Sequence, residues 1–205
     1  MKIDLILLSG TPASGKDTLT EELNNRDSRF SHFKKHKIAS GGKLDETYHL
    51  TSKERFDDMV QNNEFVQFHY RYDRGYGVSL DELLKMKEDN KIPIIHVGKY
   101  ENIAKFRQFG LRNILSVFIF TDRNSTKDRL IKRHTDNPDE VEKRLSAYDE
   151  EIDMLRRAAS QNRRLDFDLV IKNNGSSVER AASELFQKIA YFEHNIDSLE
   201  DLICL

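Results

Sequence analysis

The stretch Gly10-Thr11-Pro12-Ala13-Ser14-Gly15-Lys16-Asp17-Thr18 decides the fold of this 205-residue chain. Two glycines with four residues between them, followed by a lysine, let the backbone curl so that its N–H groups converge on an anion. An apolar run at residues 3–8 precedes the loop, and a helical pattern with Leu19 and Leu23 on one side begins at about Lys16. Strand, loop and helix therefore follow in the order that a phosphate-binding loop requires. A chance glycine turn is the weaker interpretation.

The loop predicts an ATP site. Its backbone N–H groups hold phosphates, and the Lys16 ammonium bridges the β- and γ-phosphates, which makes Lys16 a candidate catalytic residue. Asp17 stands where the consensus has the serine or threonine that binds Mg²⁺, and a carboxylate is itself a hard oxygen ligand for that ion. We therefore expect ATP together with Mg²⁺, with Asp17 at the metal. The candidate ATP-binding residues of the loop are Gly10, Thr11, Ala13, Ser14, Gly15, Lys16, Asp17 and Thr18.

Composition excludes several classes of protein. Hydrophobic residues make up 38% of the chain and charged residues 33%, which is enough for one core under a well-solvated surface. The net charge of -2 gives no global attraction to nucleic acid or anionic lipid. No stretch approaches the roughly 18 apolar residues of a membrane span, and one cysteine, Cys204, indicates a reducing compartment. We expect a cytoplasmic monomer or homodimer that binds neither nucleic acid nor membrane.

Hydrophobic periodicity predicts alternating strands and helices after the loop. Near-continuous apolar runs are typical of strands that are buried on both faces of a parallel sheet. The predicted strands lie at residues 64–72, 92–97, 114–120 and 167–171, and the predicted helices at 51–62, 80–88, 141–155 and 178–192. This order predicts an α/β fold with a parallel core sheet and helices on both faces. Residues 24–42 carry no clear pattern.

Over most of its length the chain resembles the guanylate kinase family. The order and spacing of several blocks carry the resemblance. They are the loop, Asp45-Glu46-Thr47-Tyr48-His49-Leu50, Asn63-Glu64-Phe65-Val66, Gly75-Tyr76-Gly77, the stretch from Arg129 to Asp136, Lys143-Arg144-Leu145, and the stretch from Asp168 to Asn174. The resemblance implies a three-layer P-loop nucleoside monophosphate kinase-like fold with an acceptor lobe and a lid. It would form one domain over residues 1–205, with its core at about 1–30, 90–125 and 140–195, the lobe at about 31–89 and the lid at about 126–139.

The resemblance implies transfer of the γ-phosphoryl group of ATP to a small phosphorylated acceptor. Arg133 and Arg144 match the family's lid arginines, which stabilise charge in the transition state, and are therefore candidate catalytic residues. Arg129 is a further candidate on the ATP side. Asn173 belongs to the strand that matches the family's adenine-contacting strand, and it is a candidate ATP-binding residue. Surface solubility is the competing interpretation of the arginines.

The acceptor site departs from the family pattern. Tyr48 and Tyr76 are kept, but residues 35–43 contain no arginine pair for the phosphate of GMP. Gln67 stands where the family has a carboxylate that reads guanine, and Val78 stands where it has a hydroxyl. A buried polar group left without its partner costs about 1–3 kcal/mol, so GMP is expected to be a poor acceptor. The candidate acceptor-binding residues are Lys37, Lys43, Tyr48, Gln67 and Tyr76.

Three functions stay open from the sequence. The first is a nucleoside monophosphate kinase, with GMP as the family default. The second is a sugar-phosphate kinase similar to ribose 1,5-bisphosphate phosphokinase, which shares the fold and a Gly-Lys-Asp loop and reads no base. The third is a non-catalytic guanylate kinase-like interaction module. Such modules need keep neither the loop lysine nor the lid arginines, so Lys16, Arg133 and Arg144 favour catalysis.

Overall fold

Strands and helices are interspersed along the part of the chain that the structure describes. The computed structural model describes residues 3–39, 47–71, 74–98, 101–109, 111, 113–133, 137–161, 167–175 and 177–203. Its elements are β1 (Leu5–Gly10), α1 (Lys16–Arg26), β2 (Phe30–His32), β3 (Lys35–Ile38), β4 (Tyr48–Thr51), α2 (Lys53–Gln61), β5 (Phe65–Arg71), β6 (Arg74–Ser79), α3 (Leu80–Glu88), β7 (Ile92–His96), α4 (Glu101–Gln108), β8 (Ile114–Phe120), α5 (Arg123–Lys132), α6 (Pro138–Ser160), β9 (Leu169–Lys172) and α7 (Val178–Ile203).

The strand before the glycine-rich loop, β1, is the centre of a five-stranded parallel sheet. The strand order is β2-β7-β1-β8-β9. Both faces of β1 are buried. Ile6 and Leu8 face a core that includes α1 and α7, whereas Leu5 and Leu7 face a second core that includes α3 and α4. Successive side chains of a strand point to opposite faces, so a strand covered on both sides is apolar throughout. The predicted parallel sheet with helices on both faces is confirmed.

A second sheet has four strands in the order β4-β3-β6-β5, and this sheet together with α2 is called the lobe below. Its own core contains Ile38, Phe56, Met59 and Phe65. The backbone of β6 lies so close to this core that a Cβ on Gly77 would be 2.4 Å from the Phe65 ring. Glycine is therefore required at that position for the sheet to pack on its aromatic residues.

Several sequence predictions are confirmed closely. The helix predicted at residues 80–88 and the strand predicted at 114–120 have the expected bounds. The helix predicted at residues 51–62 begins after Ser52, whose side chain caps it by accepting a hydrogen bond from the Arg55 N–H. The strand predicted at residues 3–8 is shifted to Leu5–Gly10.

Other elements lie in a segment where the sequence showed no clear hydrophobic pattern. Strands β2 and β3 lie within residues 24–42, and they are short and pair with strands distant in sequence. Residues 126–132 of the expected lid belong to α5, where Thr126 and Leu130 are buried, and residues 134–136 lie outside the described part. Within the described residues, none of the helices combines the length and apolarity that a bilayer crossing requires.

Phe56 should be a stability determinant of the lobe, because its side chain is fully buried against Phe65. We expect Phe56→Ala to lower the free energy of unfolding by about 3–5 kcal/mol, since the cavity adds to the lost burial. Urea unfolding followed by circular dichroism measures the change. Tyr191→Ala is the matched aromatic control, since Tyr191 is 70% exposed and should change stability by no more than about 0.5 kcal/mol. Equal effects of the two substitutions would contradict the described lobe core.

Candidate active site

Helix α1 begins without a side-chain cap. Its N-cap residue is Gly15, which has a φ of 86° and no side chain to satisfy the first-turn N–H groups. In α2, α3, α5 and α6 a cap side chain does accept from the first turn. Those caps are Ser52, Ser79, Asp122 and Asn137. The N–H groups at the start of α1 are thus open to an anion, and the positive end of the helix dipole favours one there.

Lys16 folds back across the loop. Its ammonium donates hydrogen bonds to the carbonyl oxygens of Gly10 (2.8 Å) and Thr11 (3.1 Å) and to the hydroxyl of Ser14 (3.1 Å). Burial lowers the pKa of Lys16, while the nearby carboxylates of Glu151 and Asp17 act in the opposite direction. The three donors of Lys16 are therefore directed into the loop, where phosphate oxygens can take the place of the loop acceptors.

Two side chains brace the loop from the side of β9. The Asn173 amide donates to the Ser14 carbonyl at 2.8 Å. The Arg129 guanidinium donates to the Ala13 carbonyl at 3.1 Å and to the Asn173 carbonyl at 2.8 Å. Asn173 is only 3% exposed, so its described contacts fix the loop backbone. Direct contact of Arg129 and Asn173 with ATP stays a prediction.

Asp17 projects from the first turn of α1 next to Lys16. Its side chain is 85% exposed, and its Oδ1 lies 3.3 Å from Nδ1 of His96. The hydrogen bond with His96 holds the pKa of Asp17 at about 2, so the carboxylate is ionised near neutral pH. An exposed carboxylate beside a phosphate loop fits a Mg²⁺ ligand, because Mg²⁺ prefers oxygen ligands and is bound by few carboxylates together with substrate phosphates. Among the described residues, no group of three or more His, Cys, Asp or Glu residues forms a metal cage.

The loop opens into a cleft with a volume of about 1010 Å³. Lys16 lines the cleft from the core, Tyr76 and Arg74 line it from the lobe, and Arg144 lines it from α6. Arg144 also contacts Glu140, one turn earlier, with an Nε–Oε1 distance of 3.3 Å. Arg133 is exposed at the end of α5, and its charge contributes to lowering the pKa of Lys16. Lys16 and Arg144 thus share one cleft, and Arg133 lies close enough to act electrostatically on Lys16.

A smaller, mostly apolar pocket of about 320 Å³ lies at the opposite end of the parallel strands, beside Asp4, Leu83 and Asn113. The phosphate loop takes no part in it. In parallel α/β sheets, ligands bind outside the carboxyl ends of the strands. We therefore place the site in the larger cleft.

Lys37, Tyr48 and Tyr76 form one cluster on the lobe sheet. The Lys37 ammonium lies 4.6 Å from the centre of the Tyr48 ring and 5.9 Å from that of Tyr76. The two tyrosine rings are 5.7 Å apart and packed edge to face. Three of the five candidate acceptor residues thus lie together, and Tyr76 lines the cleft. Lys43 lies outside the described residues.

The fourth candidate, Gln67, joins this cluster through His69. Gln67 is 4% exposed, and its amide nitrogen lies 3.1 Å from His69 Nδ1. The His69 ring stacks on Tyr76, with centres 5.4 Å apart and planes inclined by 16°. His69 was missed from the sequence. Its spacing of two residues from Gln67 on a predicted strand was the available signal, because such residues share a face.

His96 is a further residue beside the loop that the sequence did not single out. It ends β7, and the Lys35 ammonium donates to its carbonyl oxygen. Burial lowers the pKa of Lys35 to about 8. Its position at the carboxyl end of a parallel strand was the available signal for a site residue.

Comparisons with known proteins agree with this geometry. A family model described as guanylate kinase matches residues 2–190. A guanylate kinase of Clostridioides difficile is 23% identical over 202 residues, covering 97% of this chain and 93% of the relative. One from Helicobacter pylori is 32% identical over 154 residues, covering 72% and 73%. The crystal structure of guanylate kinase from Anaplasma phagocytophilum has a TM-score of 0.59 at 17% identity, covering 93% of this chain and 87% of that one.

Fold and phosphate loop together define a P-loop phosphotransferase of the nucleoside monophosphate kinase type. The expected fold class is thereby confirmed. Within that class, the chain belongs to the guanylate kinase family. The division into core, lobe and lid and the roles of the individual site residues stay predictions.

The buried ammonium of Lys35 should make stability depend on pH. Its folded-state pKa of about 8 lies below the ordinary 10.5, so between these values the unfolded chain binds more protons and the free energy of unfolding rises with pH. Lys35→Met should remove that rise. We would compare urea unfolding at pH 7.5 and pH 10, with the exposed neighbour Lys34→Met as control. The same pH slope in wild type and Lys35→Met would show that the ammonium is not buried.

Proposed function

We propose that the chain transfers the γ-phosphoryl group of ATP to a small phosphorylated acceptor other than GMP. The observation that supports this proposal is a cleft that joins two groups of residues. At one end lies the phosphate loop with Lys16, and at the other lies the cluster around Tyr76. Phosphoryl transfer needs positioning and charge stabilisation more than a strong base, and a cleft lined by Lys16, Arg144 and Arg74 supplies both.

The residues of the donor end have separate tasks in this proposal. The uncapped start of α1 holds the phosphates through its N–H groups, and Lys16 exchanges its loop acceptors for phosphate oxygens. Asp17 would hold Mg²⁺, which supplies neutralisation of phosphate charge when it is bound. Arg144 and Arg133 stabilise the charge that develops on the transferred group. A non-catalytic module would need none of these features, so they favour an enzyme.

The acceptor end argues against guanine. Gln67 occupies the position from which the family reads the base, and an amide oxygen accepts weaker hydrogen bonds than a carboxylate. Its amide nitrogen is engaged by His69, and Gln67 is buried, so the side chain is fixed in its present orientation. Val78, where the family has a hydroxyl, is fully buried and apolar. GMP therefore loses contacts that the family provides.

A sugar phosphate is the second candidate acceptor. Lys35 and Lys37 are two residues apart on β3, so they share a face of the lobe sheet. Lys37 covers the tyrosine rings and Arg74 lines the cleft. Cations on tyrosines can bind a phosphate on a sugar without reading a base. This combination favours a sugar phosphate, as in the resemblance to ribose 1,5-bisphosphate phosphokinase.

Lys16→Ala should abolish turnover while the fold survives. Removing a donor aimed at transition-state charge costs about 10²–10³-fold in kcat, and Lys16 provides a full positive charge. Coupled-enzyme measurement of ATP consumption, with thermal unfolding as the fold test, checks this expectation. Lys188→Ala, a lysine substitution on α7 far from the loop in sequence, is the matched control. Normal turnover by Lys16→Ala would refute the phosphate-loop assignment and favour a binding module.

The acceptor is tested with a panel of mononucleotides and phosphosugars. For GMP we expect a kcat/KM far below the ~10⁴–10⁸ M⁻¹s⁻¹ of good enzyme–substrate pairs. Gln67→Glu should raise the efficiency with GMP, because it restores an acceptor for the guanine N–H groups. The exposed Gln61→Glu adds the same charge outside the cleft and should have no such effect. Efficient phosphorylation of GMP by the unmodified protein would overturn the proposed acceptor class.

A further inference from the structure

We propose that His96 is a positioning residue that orients the Asp17 carboxylate for the Mg²⁺ of the ATP complex. This inference rests on the proposed function, because it assigns a task to a residue beside the proposed metal ligand. Asp17 is 85% exposed, and an exposed aspartate would otherwise sample several rotamers. The 3.3 Å contact between Asp17 Oδ1 and His96 Nδ1 restricts it to one.

The hydrogen bonds of His96 assign a donor to the nitrogen that faces Asp17. His96 Nε2 lies 2.8 Å from the Thr20 hydroxyl, and a neutral imidazole carries a hydrogen on only one nitrogen. A carboxylate oxygen only accepts, so the Nδ1 that faces Asp17 carries the hydrogen, and Nε2 accepts from the Thr20 hydroxyl. The single hydrogen of that hydroxyl is then donated to Nε2 and not to the Lys16 carbonyl, which lies 2.9 Å away.

The His96 side chain is held on its remaining sides. It is only 18% exposed. The ring of His32 packs against it with centres 4.7 Å apart, and the Lys35 ammonium donates to the His96 carbonyl. A ring held by a hydroxyl and a second ring, on a backbone that Lys35 contacts, presents its Nδ1–H at a defined place. The orientation of the Asp17 carboxylate is therefore set by the His96 ring and not by the rotamer preference of the exposed Asp17 side chain.

In this arrangement the Asp17 carboxylate accepts a hydrogen bond from His96 and can also bind a cation. Oδ1 contacts the imidazole, and the carboxylate remains exposed toward solvent, where a cation can reach it. Hydrogen bonding to a metal-binding carboxylate fixes its orientation, and loss of such an outer partner typically weakens metal affinity about 10–100-fold. We expect a loss in this range when His96 can no longer donate to Asp17.

The test measures metal binding directly. Mn²⁺ is titrated into the protein with a non-hydrolysable ATP analogue, and free Mn²⁺ is followed by electron paramagnetic resonance. His96→Phe keeps an aromatic ring at this position, and the Thr20 hydroxyl, released from Nε2, can donate to the Lys16 carbonyl 2.9 Å away. We expect it to weaken Mn²⁺ binding about 10–100-fold and to leave metal-free binding of the analogue unchanged. His96→Asn places an amide donor near the position of Nδ1 and should restore most of the affinity.

A double-mutant cycle with Asp17→Asn separates this role from a general structural one. If His96 acts through Asp17, His96→Phe has no further effect in the Asp17→Asn background. An equal loss in both backgrounds, or unchanged Mn²⁺ affinity in His96→Phe, would overturn the inference. If Asp17→Asn alone leaves the affinity unchanged, it is the metal assignment of the proposed function that fails. If His96→Phe does not fold, His96→Gln is used in its place. This variant can keep the bond to Thr20 and loses the donor to Asp17.

Discussion

The open amino end of α1 is the constraint on which the site depends. Buried or partly buried N–H groups need partners, and glycine at the N-cap of α1 supplies none from a side chain. The surrounding structure holds this strained loop in place. Asn173 and Arg129 donate to its carbonyl groups from one side, and Lys16 donates to them from within. The donors of the protein thus satisfy carbonyl groups of the loop, while the N–H groups at the start of α1 remain open to an anion.

Aromatic packing in the four-stranded sheet sets the shape of the surface around Tyr76. Gly75 and Gly77 allow β6 to lie directly on Phe56 and Phe65. Tyr76, between the two glycines, points to the other face, where it meets Tyr48 and His69. The position of the tyrosine pair therefore depends on close packing that only glycine permits.

Asp17 places a negative charge beside the phosphate loop, which a serine or threonine at this position would not do. An ionised carboxylate beside phosphates repels them unless a cation lies between, so the proposed function would couple ATP binding to metal binding. The contact with His96 lowers the pKa of Asp17 to about 2, which would keep this coupling in force across the physiological pH range. A metal held by one well-oriented carboxylate and the phosphates of the nucleotide suits Mg²⁺, which retains much of its water.

The sequence by itself determined those features of this protein that depend on residues close together along the chain. The phosphate loop and the strands at Leu5–Gly10 and Ile114–Phe120 follow from glycine spacing and apolar runs, and the bounds of α3 follow from its periodicity. Only the tertiary structure decided that Asn173, distant from the loop in sequence, is buried against Ser14. The same holds for His96 beside Asp17 and for His69 on Tyr76. These contacts join strands and helices that are far apart in sequence, and no local pattern encodes which of them become neighbours when the two sheets pack.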